Sequence, residues 1–157
     1  MIVDLSDFRL EKAKALGFEI CNSSRENLRK KAISIFGSAA SLSKEAPNVD
    51  IYIDASGAPA ILDEFMEIGK IECRIVVVGV HMAKQYVDML HLTYAQQAII
   101  GSGGYKQEDV CDVMNMMESG SYNIDSIITH EFSLGDIVKA IETAGNTDES
   151  LNVIIKF

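Results

Sequence analysis

Asp4 is the residue whose type and position point most directly to chemistry. Residues 1–5 form a short apolar segment that carries this acid, and a helical pattern follows until Gly17. The second strand of a dinucleotide-binding βαβ unit has this pattern, and its acid accepts hydrogen bonds from the ribose hydroxyls of the cofactor. Such an acid favours NAD over NADP, because it repels a 2′-phosphate. An acid that caps a helix or lies in a solvated loop gives the same pattern.

Two further segments lie where an open parallel sheet binds ligands, at the carboxyl ends of strands. Ser56 and Gly57 follow an apolar segment at 49–54, and their small size lets the backbone approach a ligand closely. Gly79, Val80 and His81 follow the most apolar segment of the chain, where backbone groups could meet a nicotinamide ring. A plain turn and a polar strand end are the simpler interpretations of these segments.

The remaining polar residues give weaker signals. Asp50 and Asp54 share one face of a predicted strand, which indicates a strand edge rather than an acid–base pair. The glycine-rich stretch at 101–104 lacks the G-x-G-x-x-G order and the Lys-Ser or Lys-Thr of a phosphate loop, so it is interpreted as a turn. The three histidines are not at ligand spacing and no Cys-x-x-Cys is present. We therefore predict neither a metal site nor a catalytic residue in this sequence.

Composition limits the function classes. The chain has 157 residues, a net charge of −9 and three widely spaced cysteines. An acidic surface repels phosphate backbones, which argues against nucleic-acid binding. An odd number of cysteines argues against a disulfide framework and for a reducing compartment. Because the sequence shows neither a membrane-length apolar run nor a signal-peptide pattern, we expect a cytoplasmic protein without a membrane partner.

The chain alternates between strand and helix patterns. Predicted strands lie at 1–5, 18–21, 49–54, 73–80, 96–100 and 152–157, and predicted helices at 7–16, 24–36, 59–69, 106–119 and 133–145. Strands separated by helices of this length predict right-handed crossovers and a parallel sheet. The run of four aliphatic residues at 75–78 suits a central strand that is covered on both faces. The sequence therefore predicts a Rossmann-like, doubly wound α/β fold with a mostly parallel sheet.

An ordered set of segments resembles the C-terminal part of the zinc-dependent alcohol dehydrogenases, in the medium-chain dehydrogenase/reductase family. Within that family the sequence is most similar to the polyol, butanediol and threonine dehydrogenase branches. No single motif carries the resemblance, but the order of the matches is specific. The matching segments are residues 3–4, 9–14, 16–17, 49–50, 54–57, 69–70, 76–80, 100–102, 127–130 and 153–157, together with the helix that begins at Leu134.

The resemblance implies roles for particular residues. Asp4 matches the acid on the adenosine ribose of NAD, and Arg9 matches the basic residue beside it, although an isolated arginine is more often a surface residue. The nicotinamide side of the site is implied to be lined, through backbone groups, by Ser56, Gly57, Gly79, Val80 and His81. The strand at 96–100, from Gln96 to Ile100, matches the edge strand through which family members form dimers. Residues 1–125 then form an incomplete NAD-binding domain. Residues 126–157 match a helix and strand of the catalytic domain.

The departures from the family matter for function. The first strand, the glycine-rich pyrophosphate loop and the zinc-binding domain of the family have no counterpart in these 157 residues, so we expect a truncated Rossmann fold and a weak NAD site. Zinc is implied only in the absent N-terminal domain. The leading hypothesis is the cofactor-binding portion of an alcohol dehydrogenase, inactive alone. The alternatives are a stand-alone binding or interaction module, and one half of a split enzyme completed by a chain that carries the zinc domain.

A missing central strand would leave backbone groups unpaired. Unpaired backbone groups are costly when buried. The strands at 1–5 and 49–54 would flank the empty position. We expect them to pair directly, or the closing strand at 152–157 to insert between them. A second chain that fills the position is the third solution.

Overall fold

Short parallel strands alternate with helices along most of the chain. The computed structural model describes residues 1–121 and 123–157. These residues form two units, the first made of residues 1–28 and 105–157 and the second of residues 29–104. In chain order the elements are β1 (Ile2–Asp4), α1 (Asp7–Ala15), β2 (Ile20–Asn22), α2 (Leu28–Phe36), β3 (Ser38–Ala39), β4 (Ala46–Pro47), β5 (Ile51–Asp54), α3 (Pro59–Ile68), β6 (Arg74–Val77), α4 (Met89–Tyr94), β7 (Ala98–Gly101), α5 (Gln107–Glu118), β8 (Ile128–Ser133), α6 (Ile137–Gly145) and β9 (Asn152–Lys156).

In the first unit, α1 connects two parallel strands. β1 and β2 pair from Ile2 opposite Ile20 to Asp4 opposite Asn22. The hydroxyl of Ser6 accepts a hydrogen bond from the Arg9 N–H at 3.4 Å and so caps α1, in the role that short polar side chains usually have at a helix start. Leu10 is the buried residue of the helix. The βαβ unit predicted from the first 22 residues is therefore confirmed.

The closing strand of the chain belongs to a second parallel pair of the first unit. β9 is hydrogen-bonded to β8, from Asn152 opposite Ile128 to Lys156 opposite Ser133, and α6 connects the two strands. The predicted insertion of β9 between the strands at 1–5 and 49–54 is therefore wrong. β1 is paired with β2 in the first unit and β5 with β6 in the second, and direct pairing of the strands at 1–5 and 49–54 stays a prediction.

The second unit is organised around a three-stranded parallel sheet. Its strand order is β5-β6-β7, with Asp54 opposite Val77 and Val77 opposite Gly101. The core of the unit consists of Leu62 and Phe65 from α3, together with Cys73 and Ile75. Phe65 packs edge-on against Tyr52, with the ring centroids 5.3 Å apart. The predicted parallel α/β architecture is confirmed, and β5 and β6 end side by side.

Some local predictions need correction. Residues 37–48, predicted to be irregular, contain the short antiparallel pair of β3 and β4. The helix predicted over 106–119 is present as α5, but its apolar side chains are not buried. Val110, Val113, Met114 and Met117 are 43–54% exposed. Helical spacing thus predicted the helix but not the packing.

Two predictions of organisation are not decided by the strand pairing. A domain boundary near residue 125 stays a prediction. β7 is the end strand of the order β5-β6-β7, which agrees with an edge at 96–100. The pairing of two chains through that edge also stays a prediction.

Removal of the Phe65 ring tests the core of the second unit. Phe65 is 2% exposed, and truncation of a buried phenylalanine to alanine usually costs about 3–5 kcal/mol. We expect Phe65→Ala to lower the free energy of unfolding, measured by urea denaturation, by about that amount. Val138→Ala is the control, since Val138 is 68% exposed. An equal loss in both variants would contradict the assignment of the core.

Candidate functional site

The carboxyl ends of β5 and β6 bring two turns together in the second unit. Asp54 ends β5, and its carbonyl oxygen accepts hydrogen bonds from the N–H groups of Val78 and Gly79 at 2.9 and 2.8 Å. The turn after β5 and the turn after β6 therefore meet at the sheet edge where open α/β folds bind ligands. We refer to residues 55–58 and 78–81 as the paired turns.

The side chain of Asp54 holds the first of the paired turns. Its Oδ1 accepts hydrogen bonds from the Ser56 N–H at 2.9 Å, the Gly57 N–H at 3.0 Å and the Ser56 hydroxyl at 3.0 Å. Asp54 is only 2% exposed. Because a buried carboxylate must recover the hydrogen bonds that it loses with water, this arrangement fixes the conformation of residues 54–57.

The other carboxylate oxygen of Asp54 reaches the second turn. Its Oδ2 lies 2.6 Å from Nε2 of His81, whose side chain is 15% exposed. A side-chain contact thus joins the end of β5 to the turn after β6, in addition to the backbone bonds at Val78 and Gly79.

The carboxylate of Asp54 is stabilised in its charged form. Burial raises the pKa of this group, but the hydrogen bonds from the Ser56 and Gly57 N–H groups, His81 and the Ser56 hydroxyl outweigh burial and lower the pKa below its ordinary value. A carboxylate that accepts several hydrogen bonds is expected to behave in this way. Asp54 is therefore ionised at neutral pH.

The charge of Asp54 fixes the proton position on His81. An ionised carboxylate only accepts hydrogen bonds, so Nε2 of His81 must carry the proton and donate it. Nδ1 of His81 is buried and has no hydrogen-bond partner in the described part of the chain. In the neutral ring, Nδ1 is therefore a buried hydrogen-bond acceptor to which no described group donates.

Glycine is required at two positions because the paired turns are in close contact. A Cβ atom added to Gly79 would lie 2.1 Å from the N atom of Gly57, and one added to Gly57 would lie 2.4 Å from the carbonyl oxygen of Val80. Gly57 also has a φ of +70°. The two glycines therefore permit a backbone-to-backbone approach that any side chain would prevent.

Five residues predicted from the sequence lie in the paired turns: Ser56, Gly57, Gly79, Val80 and His81. Their placement together at one strand edge follows from the register of β5 and β6. The side chain of Val80 is 77% exposed, and none of the backbone hydrogen bonds of these turns uses its N–H. This N–H is a donor that a ligand could use.

Asp4 and Arg9, the other two predicted residues, lie in the first unit. Oδ1 of Asp4 accepts hydrogen bonds from the N–H groups of Leu5 and Ser6 at 2.7 and 2.9 Å. Asp4 therefore holds the turn that leads into α1, as the interpretation of Asp4 as a capping acid predicts. Both hydrogen bonds use Oδ1, and none of the described groups donates to Oδ2 in these bonds. Nε of Arg9 donates to the carbonyl oxygen of Ser150 at 3.3 Å, and thus joins α1 to the turn before β9.

The two aspartates interpreted as a strand edge have different environments, although β5, which follows Asp50 and ends at Asp54, is the end strand of its sheet. Asp50 has a side chain 79% exposed and forms an ion pair with Lys70 at 2.6 Å, whereas Asp54 is buried in the paired turns. The available sequence signal was the order Asp-Ala-Ser-Gly, since an aspartate followed two residues later by serine is typical of a side-chain-capped turn.

Other parts of the described structure offer less chemistry. No group of three or more His, Cys, Asp and Glu side chains in residues 1–121 and 123–157 is arranged to hold a metal ion. Across the same residues, no helix has both the length and the apolar character needed to cross a membrane. Surface depressions of about 610 and 300 Å³ are lined by residues 38–45 and by Leu42, Asp88, Leu90, His91 and Tyr94, so neither includes the paired turns.

The parallel strands, the crossover helices and the position of the paired turns define a Rossmann-like α/β fold of the dehydrogenase type. A short chain alcohol dehydrogenase from Escherichia coli CFT073, solved in complex with NADH, superimposes on 99% of this chain with a TM-score of 0.80 and 25% identity. This chain covers 43% of that structure.

Residues 1–119 match the family model of the zinc-binding dehydrogenases. The chain belongs to this family, which confirms the resemblance found in the sequence. It is 27% identical over 135 residues to L-threonine 3-dehydrogenase of Pyrococcus horikoshii, with 84% of this chain and 36% of that protein covered. It is 26% identical over 144 residues to sorbitol dehydrogenase 1 of Saccharomyces cerevisiae, with 90% and 40% covered. The chain thus spans about two fifths of the length of these relatives.

A Cβ atom at Gly79 should disrupt the paired turns. Because it would overlap the backbone of Gly57, we expect Gly79→Ala to lower the free energy of unfolding by at least about 1–3 kcal/mol, the usual cost of overpacking. Gly103→Ala is the matched control, since a Cβ there has no neighbour within 4 Å. Urea denaturation of both variants provides the measurement, and an unchanged Gly79→Ala protein would contradict the close contact.

The ionisation of Asp54 should appear in the pH dependence of stability. Its folded-state pKa lies below the unfolded value of about 3.9. The stabilisation is therefore complete above the unfolded pKa and is lost as the pH falls through the folded pKa. We expect Asp54→Asn to be destabilised at pH 7, and its difference from the wild type to shrink as the pH falls below about 4.

Denaturant unfolding at several pH values measures this dependence. Asp63→Asn serves as the control, because Asp63 is an exposed residue of α3. A gap between Asp54→Asn and the wild type that stays constant with pH would show that the carboxylate charge does not stabilise the turn.

Proposed function

We propose that this chain is the NAD(H)-binding portion of a zinc-type alcohol or polyol dehydrogenase. The observation that carries the proposal is the pair of turns at the carboxyl ends of β5 and β6, held together by Asp54 with glycine at both contact points. Membership of the zinc-binding dehydrogenase family supports it. The solved relative with NADH supports the choice of cofactor.

The paired turns would hold the nicotinamide side of the cofactor through backbone groups. The side chains of Asp54 and His81 are engaged with each other, so backbone groups of the turns, among them the N–H of Val80, would hydrogen-bond the carboxamide. The exposed side chain of Val80 offers an apolar contact for the ring. When bound in a complete enzyme, NAD would accept a hydride from the carbon of an alcohol.

Asp4 would contribute an acceptor for ribose hydroxyls. Oδ1 already takes two backbone N–H groups, so Oδ2 is the oxygen that would accept from the ribose. The same carboxylate would disfavour the 2′-phosphate of NADP. The bond from Arg9 to Ser150 would keep the start of α1 in place beside Asp4.

We further propose that these 157 residues alone do not oxidise an alcohol. None of them matches the zinc ligands that the resemblance implies, and zinc acts in such enzymes by polarising the alcohol oxygen. None matches the glycine-rich loop at a helix N-terminus that binds pyrophosphate. We therefore expect a weak interaction with the cofactor, with a dissociation constant of about 0.1–1 mM.

Titration of the ¹⁵N-labelled chain with NADH tests this proposal. We expect shifts at the amides of Asp4 and of the turn at 78–81, and weaker shifts with NADPH. Asp4→Asn should reduce the affinity for NADH about tenfold, because it loses hydrogen bonds to a charged acceptor. The exposed substitution Asp63→Asn should leave the affinity unchanged.

The absence of binding would overturn the proposal and favour a stand-alone interaction module. A dissociation constant of a few micromolar would show instead that the site in this chain is complete. Equal affinities for NADH and NADPH would remove Asp4 from the ribose site while leaving the turns in place.

A further inference from the structure

Backbone hydrogen bonds join the turn at 78–81 to the end of β5 at one atom, the carbonyl oxygen of Asp54. The contact between the side chains of Asp54 and His81 adds a second connection. The backbone bonds from Val78 and Gly79 hold the first half of the second turn to the end of β5. His81 lies two residues beyond Gly79, and its Nε2 returns to Oδ2 of Asp54 at 2.6 Å. Residues 78–81 are therefore anchored at both ends, and Val80 is the residue between the anchors.

The strength of the second anchor follows from charge and burial. A hydrogen bond to an ionised, buried carboxylate is stronger than one between neutral groups. The other oxygen of the same carboxylate is committed to Ser56 and Gly57. Oδ2 is thus held in place, and through it the position of the His81 ring.

We propose that the pair of Asp54 and His81 is a positioning device, which holds the N–H of Val80 in the orientation needed by the nicotinamide carboxamide. This inference depends on the proposed function, since it concerns how the same turns bind NAD(H). His81 is a positioning residue and not a catalytic one. Its Nε2 is engaged with Asp54, and its Nδ1 is buried.

Preorganisation gives the pair an effect on binding. A turn that is held at one end samples more conformations, and the entropy lost on binding must then be supplied by the interaction itself. The loss should affect contacts with the nicotinamide ring and leave other parts of the cofactor unchanged. A purely structural role would weaken every part of the interaction equally.

Two amide substitutions at residue 81 separate these roles. In His81→Gln the side-chain nitrogen lies three bonds beyond Cβ, as Nε2 of histidine does, and it can donate to Oδ2 of Asp54. In His81→Asn the nitrogen lies one bond closer to the backbone and cannot span the same distance. His91→Asn, in α4, is the control for loss of a histidine elsewhere in the second unit.

Chemical-shift titrations of the ¹⁵N-labelled chain with NADH and with ADP-ribose provide the measurement. ADP-ribose lacks the nicotinamide ring. We expect His81→Asn to weaken the binding of NADH about fivefold and to change that of ADP-ribose by less than about twofold. His81→Gln and His91→Asn should bind both compounds within about twofold of the wild type.

Each other outcome has a defined meaning. The positioning role would be overturned if His81→Asn bound NADH as the wild type does, or if it bound NADH and ADP-ribose with equally reduced affinity. It would also be overturned if His81→Gln failed to restore the affinity, or if the spectrum of His81→Asn were that of an unfolded chain. If the wild type bound NADH no better than ADP-ribose, the positioning role would be wrong and the cofactor proposal would stand. If it bound neither compound, the proposed function would be wrong, and this inference with it.

Discussion

A carboxylate that is removed from water must recover its hydrogen bonds within the protein, and the paired turns are built around that requirement at Asp54. The group is almost fully buried and takes its donors from both turns. Its main-chain carbonyl adds two more bonds to the second turn. Each group that donates a hydrogen bond to Asp54 holds its own segment of backbone in place. Asp54 therefore sets the conformation of both turns at this edge of the sheet. The conformation of the site is a consequence of the burial of one charge.

The glycines follow from the same requirement. Donors from both turns can reach one side chain only if the two backbones come close together, and a Cβ at Gly57 or Gly79 would occupy the space of the opposite backbone. Glycine loses more conformational entropy on folding than other residues do. Here the hydrogen bonds that Asp54 accepts offset this loss. The sequence predicts close backbone approach to a ligand at Gly57 and backbone contact with a nicotinamide ring at Gly79. The approach that the structure shows is between the two turns.

The sequence contains enough information for β5, β6 and β7, because apolar segments of four or more residues have a recognisable length and spacing. β8, which pairs in parallel with β9, is not among the strands that the sequence predicts. β3 and β4 have two residues each and carry no periodicity. The role of Asp54 was also hidden, because Asp50 and Asp54 have the same position in the alternating pattern of one strand. Burial distinguishes them, and the buried carboxylate of Asp54 contacts His81, which is 27 residues away in the sequence.

Family membership and local chemistry therefore answer different questions about this chain. The match of residues 1–119 to the family model establishes the family, and the superposition on a solved dehydrogenase with a TM-score of 0.80 supports the fold. That fold places ligands at the carboxyl ends of parallel strands. A fold shared by many proteins leaves open what happens at that edge. In this chain the edge carries an ionised carboxylate whose hydrogen bonds are internal, so the groups left for a ligand are backbone groups. Such a surface can orient a bound molecule, and the polarisation of a reacting oxygen requires a separate group.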